Sequence, residues 1–155
     1  LGANVNILSS NGTSSVWVAA QRGNIDAIKI LYEFGADINL PSFNGTTPLW
    51  VASQRGIVEV IELLFELGAN LLSYSSTGIT AVHIATYEGH YDVIKVLAKY
   101  GANLNILSDN GTTPMWIASQ RGDIDMIRLL HSFGCSIHTS SHHGTTPLSI
   151  AAYHG

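Results

Sequence analysis

The sequence predicts an all-α fold, a solenoid of short helix pairs stacked one on the next. Three observations predict it. The stretch NGTTPLWVASQRG at 44–56 returns as NGTTPMWIASQRG at 110–122, an offset of 66 residues, or twice 33. Related stretches begin at Asn11, Thr77 and His143, and a fixed period of this size marks a stacked repeat. Each full copy also carries a helix-start signal near its head and a glycine at its foot. Apolar residues then recur three apart in the segment that follows, which is the spacing of one helix face.

The period divides the chain into part of one unit (1–8), four full units (9–41, 42–74, 75–107 and 108–140) and the start of another (141–155). Within 42–74, Asn44-Gly45 is a strong turn pair. Thr47 then offers its hydroxyl at a helix start, and Pro48 takes the first helical position, where a missing N–H costs nothing. Gly56 closes that first helix, as Gly23, Gly89 and Gly122 do in the other units. The second helix begins at once. It has an acid in its first turn, at Asp26, Glu59, Asp92 or Asp125, where the positive end of the helix dipole favours it. Ile25-Ile28-Leu31, Val58-Ile61-Leu64, Tyr91-Ile94-Leu97 and Ile124-Ile127-Leu130 set the expected core face. Gly35-Ala36, Gly68-Ala69, Gly101-Ala102 and Gly134-Cys135 stop the helix, and an Asn- and Asp-rich link leads to the next turn. A helix pair this short cannot bury both its faces, so each unit leans on its neighbours. The chain opens inside a unit at Leu1 and stops at Gly155, before a fifth second helix has begun. With no polar cap at either end, it reads as a fragment of a longer array.

The 155 residues are 46% hydrophobic, with a mean hydropathy of +0.22, enough for a core. Only 12% are charged and the net charge is −4, so the basic footprint of a nucleic-acid binder is missing. No apolar run approaches the eighteen or so residues of a membrane span, and the N-terminus shows no leader pattern. Cys135, the only cysteine, rules out an internal disulfide and points to a reducing compartment. These features lead to the expectation of an intracellular, cytoplasmic monomer with neither nucleic acid nor membrane as partner.

The 33-residue unit resembles the ankyrin repeat, whose signature is T-P-L-H-x-A. It stands here as Thr47-Pro48-Leu49-Trp50-Val51-Ala52 and Thr113-Pro114-Met115-Trp116-Ile117-Ala118. The resemblance covers the whole chain. It implies an L-shaped ankyrin-repeat solenoid of stacked antiparallel helix pairs with projecting β-hairpin fingers, working as a protein-binding scaffold without cofactor. Where the signature has His, this chain has Trp17, Trp50, His83, Trp116 and Ser149. That predicts aromatic packing in place of a polar link between repeats at the three tryptophans. Ser14-Ser15 stands for Thr-Pro in the first full unit, and Ala81 for the proline in the third. The Asn near the end of each repeat is kept as Asn6, Asn39 and Asn105 but replaced by Leu72 and His138, where altered turn bonding is expected. By the same resemblance, Asn39 and Asn105 are candidates for hydroxylation.

The resemblance also implies a concave binding face, lined by the fingertips and the ends of the first helices. Two columns map there: Gln21, Gln54, Tyr87, Gln120 and Tyr153, and beside them Arg22, Arg55, Glu88, Arg121 and His154. Three of the seven Lys and Arg residues thus share one face. Such a ladder suits carboxylate and carbonyl groups, because the guanidinium is a fixed fork of donors; against it stands a plain role, bonded along the stack. The sharper lead is Tyr74, Ile79, Tyr87 and Glu88, which break the pattern their neighbours keep. With Phe43 at an adjacent fingertip they would form an aromatic and apolar hot spot, and the bland alternative is drift in a solvated column.

The tryptophans share one interior column, so core packing is preferred to a stacking platform for bases or sugars. His83 is expected to be buried and bonded to the Thr80 hydroxyl. His131, His138, His142, His143 and His154 lack the paired Cys or fixed spacing of a zinc site, and no metal is expected; a histidine cluster would make binding pH-sensitive. Cys135, four residues after His131, falls in the column of Ala36, Ala69 and Ala102 and reads as a buried thiol. Asn11, Asn44 and Asn110 satisfy the N-x-Thr glycosylation rule but read better as repeat turns. No nucleotide-binding, hydrolase or metalloprotease motif is present. The expected function is a non-catalytic scaffold for another protein. The rivals are a structural spacer in a larger assembly and a substrate-recruiting module of a multidomain enzyme.

Overall fold

The computed structural model describes residues 4–154; Leu1, Gly2, Ala3 and Gly155, and the side chain of His154, lie outside the described residues. Among the described residues run α1 (Ser15–Arg22), α2 (Ile25–Glu33), α3 (Pro48–Arg55), α4 (Val58–Glu66), α5 (Ala81–Glu88), α6 (Tyr91–Lys99), α7 (Pro114–Gln120), α8 (Ile124–Ser132) and α9 (Pro147–His154). Helices pack in consecutive pairs, α1 with α2 through α7 with α8. The first helices also stack in one continuous row, α1 on α3 on α5 on α7 on α9, while α2, α4 and α6 touch along a lighter second row.

Hydrogen bonding at the helix starts follows from sequence. The side chains of Ser14, Thr47 and Thr113 accept the N–H of Trp17, Trp50 and Trp116 three residues on, satisfying donors that a helix start leaves orphaned. At Thr80 and Thr146 the third residue also reaches back. Nδ1 of His83 accepts the Thr80 N–H at 3.2 Å and the Ser149 hydroxyl accepts the Thr146 N–H at 2.9 Å, as in a capping box. The acids expected in the first turns of α2, α4, α6 and α8 are there. Helix α7 ends one residue early, with Arg121 as its C-cap and Gly122 turning left-handed after it (φ 64°).

The core face of the second helices differs in part from the expected triplets. Val60, Ile61 and Leu64 of α4, Val93, Ile94 and Leu97 of α6, and Met126 and Leu130 of α8 are buried. Ile124, by contrast, is 56% exposed, and Tyr91 also stands at the surface. Repeated steps of three fall short of a full 3.6-residue turn, so the first member of a triplet sits at the edge of the buried stripe, where Ile25 and Val58 still pack against the core and Tyr91 and Ile124 do not. Tyr91 uses its edge position to donate its hydroxyl to the Asp123 carboxylate at 2.7 Å, a bond that holds the phenol above its ordinary pKa.

The fingers contain no strand among the described residues, only an antiparallel bridge between Tyr74 and Thr80. Backbone bonds tie the second to the fifth fingers in sequence: Ser76 N–H to the Asn44 carbonyl at 2.8 Å, Asp109 to Thr77 at 3.4 Å, and His142 to Asn110 at 3.2 Å.

Two expectations about the seams between neighbouring pairs need correction. The tryptophans do not exchange a polar link for packing. Nε1 of Trp17 donates to the Thr46 hydroxyl (3.2 Å), of Trp50 to the Ile79 carbonyl (3.1 Å) and of Trp116 to the Thr145 hydroxyl (3.1 Å). The half-buried indole packs and donates at once. Nor is turn bonding altered at Leu72 and His138. Their N–H groups bond Asn70 Oδ1 and the Ser136 hydroxyl two residues back, as Asn6, Asn39 and Asn105 bond Asn4, Asp37 and Asn103. What leaves with the Asn is the bond across the seam.

Candidate functional site

The third helix pair departs from the others at His83, which stands in the tryptophan column. Its Nδ1 takes the Thr80 N–H, so the ring proton sits on Nε2 and donates to the Thr112 carbonyl at 3.1 Å. Burial holds this histidine below its ordinary pKa, and its bond to the Thr112 carbonyl opposes that shift in part. An imidazole is smaller than an indole. Beside it Ile79 from the finger, Ile84 and Tyr87 from α5, and Ile117 from α7 enclose an almost wholly apolar cleft of about 190 Å³.

Arg121, the C-cap of α7, places its guanidinium 4.9 Å from the centre of the Tyr87 ring. That contact is a cation–π pair, and it sets a positive charge beside a tyrosine that lines the apolar cleft. Tyr87 remains 52% exposed, so the ring can be covered from outside.

Of the other expected residues, Gln21 and Gln54 are half-buried, while Gln120, Arg22, Arg55 and Glu88 are exposed. Among the described residues the ion pairs lie elsewhere, at Lys95–Asp92, Lys99–Glu62 and Arg128–Asp125. Among the described residues Arg22 and Arg55 therefore form no ion pair along the stack. Phe43 and Tyr74, both largely exposed, do not line the cleft: Phe43 lies over Gly12, and Tyr74 flanks a separate hollow with Pro41 and Thr47. Sequence reasoning missed Ile84 and Ile117. The available signal was the larger Ile in the column of Val18 and Val51, next to the histidine that vacates space.

Cys135 is buried, its Sγ is 3.5 Å from the Leu104 carbonyl, and burial pushes its thiol up to about 11, which leaves almost no thiolate near neutrality. His131, His138, His142 and His143 are split between α8 and the following link and finger, and among the described residues no three His, Cys, Asp or Glu side chains gather as metal ligands. No helix among the described residues is long and apolar enough to cross a membrane.

A family model described as ankyrin repeats (3 copies) matches residues 1–75, 18–108 and 82–155. A comparison with the curated proteins finds no match. Ankyrin repeats are generally protein–protein interaction modules and typically non-enzymatic. The match extends over the full length, and the stacked helix pairs and their seams accord with it throughout: the chain belongs to the ankyrin-repeat family.

Proposed function

We propose that the chain is a non-catalytic module that grips a protein partner through its concave face, centred on the cleft of Ile79, Ile84, Tyr87 and Ile117. The observation that carries this reading is the pairing of that apolar cleft with the Arg121 guanidinium against its tyrosine wall. An apolar side chain flanked by a carboxylate would fill the one and meet the other, and Arg55 and Arg22 would extend the charge match along the array. Aromatic and arginine residues are the usual anchors of protein interfaces. The buried, unreactive Cys135 accords with work in a reducing, intracellular compartment.

The test is quantitative capture from native cell lysate by the parent and by an Arg55→Glu, Tyr87→Ala, Arg121→Glu variant shown by circular dichroism to be folded. A partner held by the parent should be lost by about tenfold or more in the variant, on the order of 1.4 kcal/mol. Equal retention, or none by either, would replace the groove with the spacer reading.

A further inference from the structure

A second cleft shares no lining residue with the first. It lies on the seam where Leu72 stands in place of Asn, and the other seams show what that place is built for. The Asn39 carboxamide donates to the Gly68 carbonyl at 3.0 Å while its oxygen accepts the Asn70 N–H at 2.7 Å. Asn6 spans Gly35 and Asp37 in the same way, at 3.1 and 2.8 Å, and the oxygen of Asn105 accepts the Ser136 N–H at 2.9 Å. At Leu72 the corresponding groups are the Gly101 carbonyl and the Asn103 N–H, and among the described residues neither has a partner. The Leu72 N–H bonds Asn70 Oδ1 just as the Asn39 N–H bonds Asp37, so the turn is unchanged and only the amide is gone.

What remains there is a cleft of about 290 Å³, with Gly101 and Asn103 on one side and Leu71, Leu72, Val82 and Ile106 around it. An acceptor and a donor are set where neighbouring seams hold a carboxamide, beside aliphatic walls. We propose that this cleft binds the side-chain carboxamide of a glutamine on a partner polypeptide. The amide NH2 donates to the Gly101 carbonyl, its oxygen accepts the Asn103 N–H, and its methylene stem lies against Leu71, Leu72 and Val82. A carboxylate of the same shape cannot serve, because it has no proton for the Gly101 carbonyl.

The experiment is a titration of the ¹⁵N-labelled protein with N-acetylglutamine methylamide, with N-acetylglutamate methylamide as the second arm, read at the Asn103 amide. The expected result is a saturable shift with the glutamine probe that is at least several-fold weaker with the glutamate probe. Leu72→Asn supplies the missing amide from within; it should abolish the shift and raise the thermal midpoint by a few degrees. Leu72→Ala, which leaves the seam open, should keep the shift. No shift at Asn103, equal shifts with both probes, a shift that survives in Leu72→Asn, or a lowered midpoint in that variant would each overturn the proposal.

Discussion

At the scale of single residues, the column Trp17, Trp50, His83, Trp116 shows how far spacing reaches. A period of 33 places these side chains in one file. It does not say where a ring nitrogen lands, because that depends on the neighbouring finger and on a rotamer. Trp50→Phe keeps most of the ring but removes the donor to the Ile79 carbonyl; the loss should be about 1 kcal/mol of stability in urea denaturation, provided water reaches the freed carbonyl. His83 gives a pH prediction. Its pKa is lowered in the fold by burial, so below the unfolded-state pKa, about 6.5, the unfolded chain binds a proton that the native chain resists. Protonating Nδ1 would also set its new N–H against the Thr80 N–H that it now accepts. Stability from this group is therefore complete above pH about 6.5 and falls as pH drops toward the lower native value. In denaturation midpoints measured between pH 7.5 and 5, His83→Gln should show a shallower slope than the parent, and an unchanged slope would remove His83 as its source.

At the scale of elements, the helix starts and stops were legible because they rest on local chemistry: a hydroxyl before Pro48, an acid in a first turn, a glycine at a left-handed turn. The face of α8 was less legible, since Ile124 and Met126 are both apolar and only the packing of the pair decides which is buried. The candidate site was half legible. Ile79 and Tyr87 stood out against their neighbours and Arg121 lay in the repeated arginine column, whereas Ile84 and Ile117 look like ordinary core until the smaller His83 opens a space between them. The glycines of the repeat turns were readable as such, yet they are not equivalent. Gly45 and Gly35 both have positive φ, 77° and 83°, so Ala at either should cost about 1–2 kcal/mol. At Gly45 a Cβ would also lie 3.0 Å from the Tyr74 carbonyl oxygen and 3.1 Å from the Ser76 nitrogen, whereas at Gly35 it would meet nothing within 4 Å. Gly45→Ala should thus be the more destabilising of the two by thermal melting. Equal losses would mean that the fingers can spread without cost.

At the scale of the whole molecule, each helix pair packs chiefly on its neighbours, so the effect of a core substitution depends on how many sides of the residue are covered. The file Val16, Leu49, Val82, Met115 and Leu148 makes this visible. The first four are at most 4% exposed, while Leu148 is 61% exposed. Leu64, on α4 with neighbouring pairs on both sides, is fully buried. Leu64→Ala removes methylenes that have no solvent to replace them and should cost about 2–5 kcal/mol, the spread reflecting how far α2 and α6 can close on the gap. Leu148→Ala, already largely hydrated, should cost less than about 0.5 kcal/mol. Chemical denaturation of the two variants checks the ratio, and hydrogen exchange checks its cause. In a stack coupled through neighbours, Leu64→Ala should speed exchange most in α3 to α6 and progressively less toward α1 and α8. Uniform acceleration along the chain would instead mean that the helix pairs unfold as a single block.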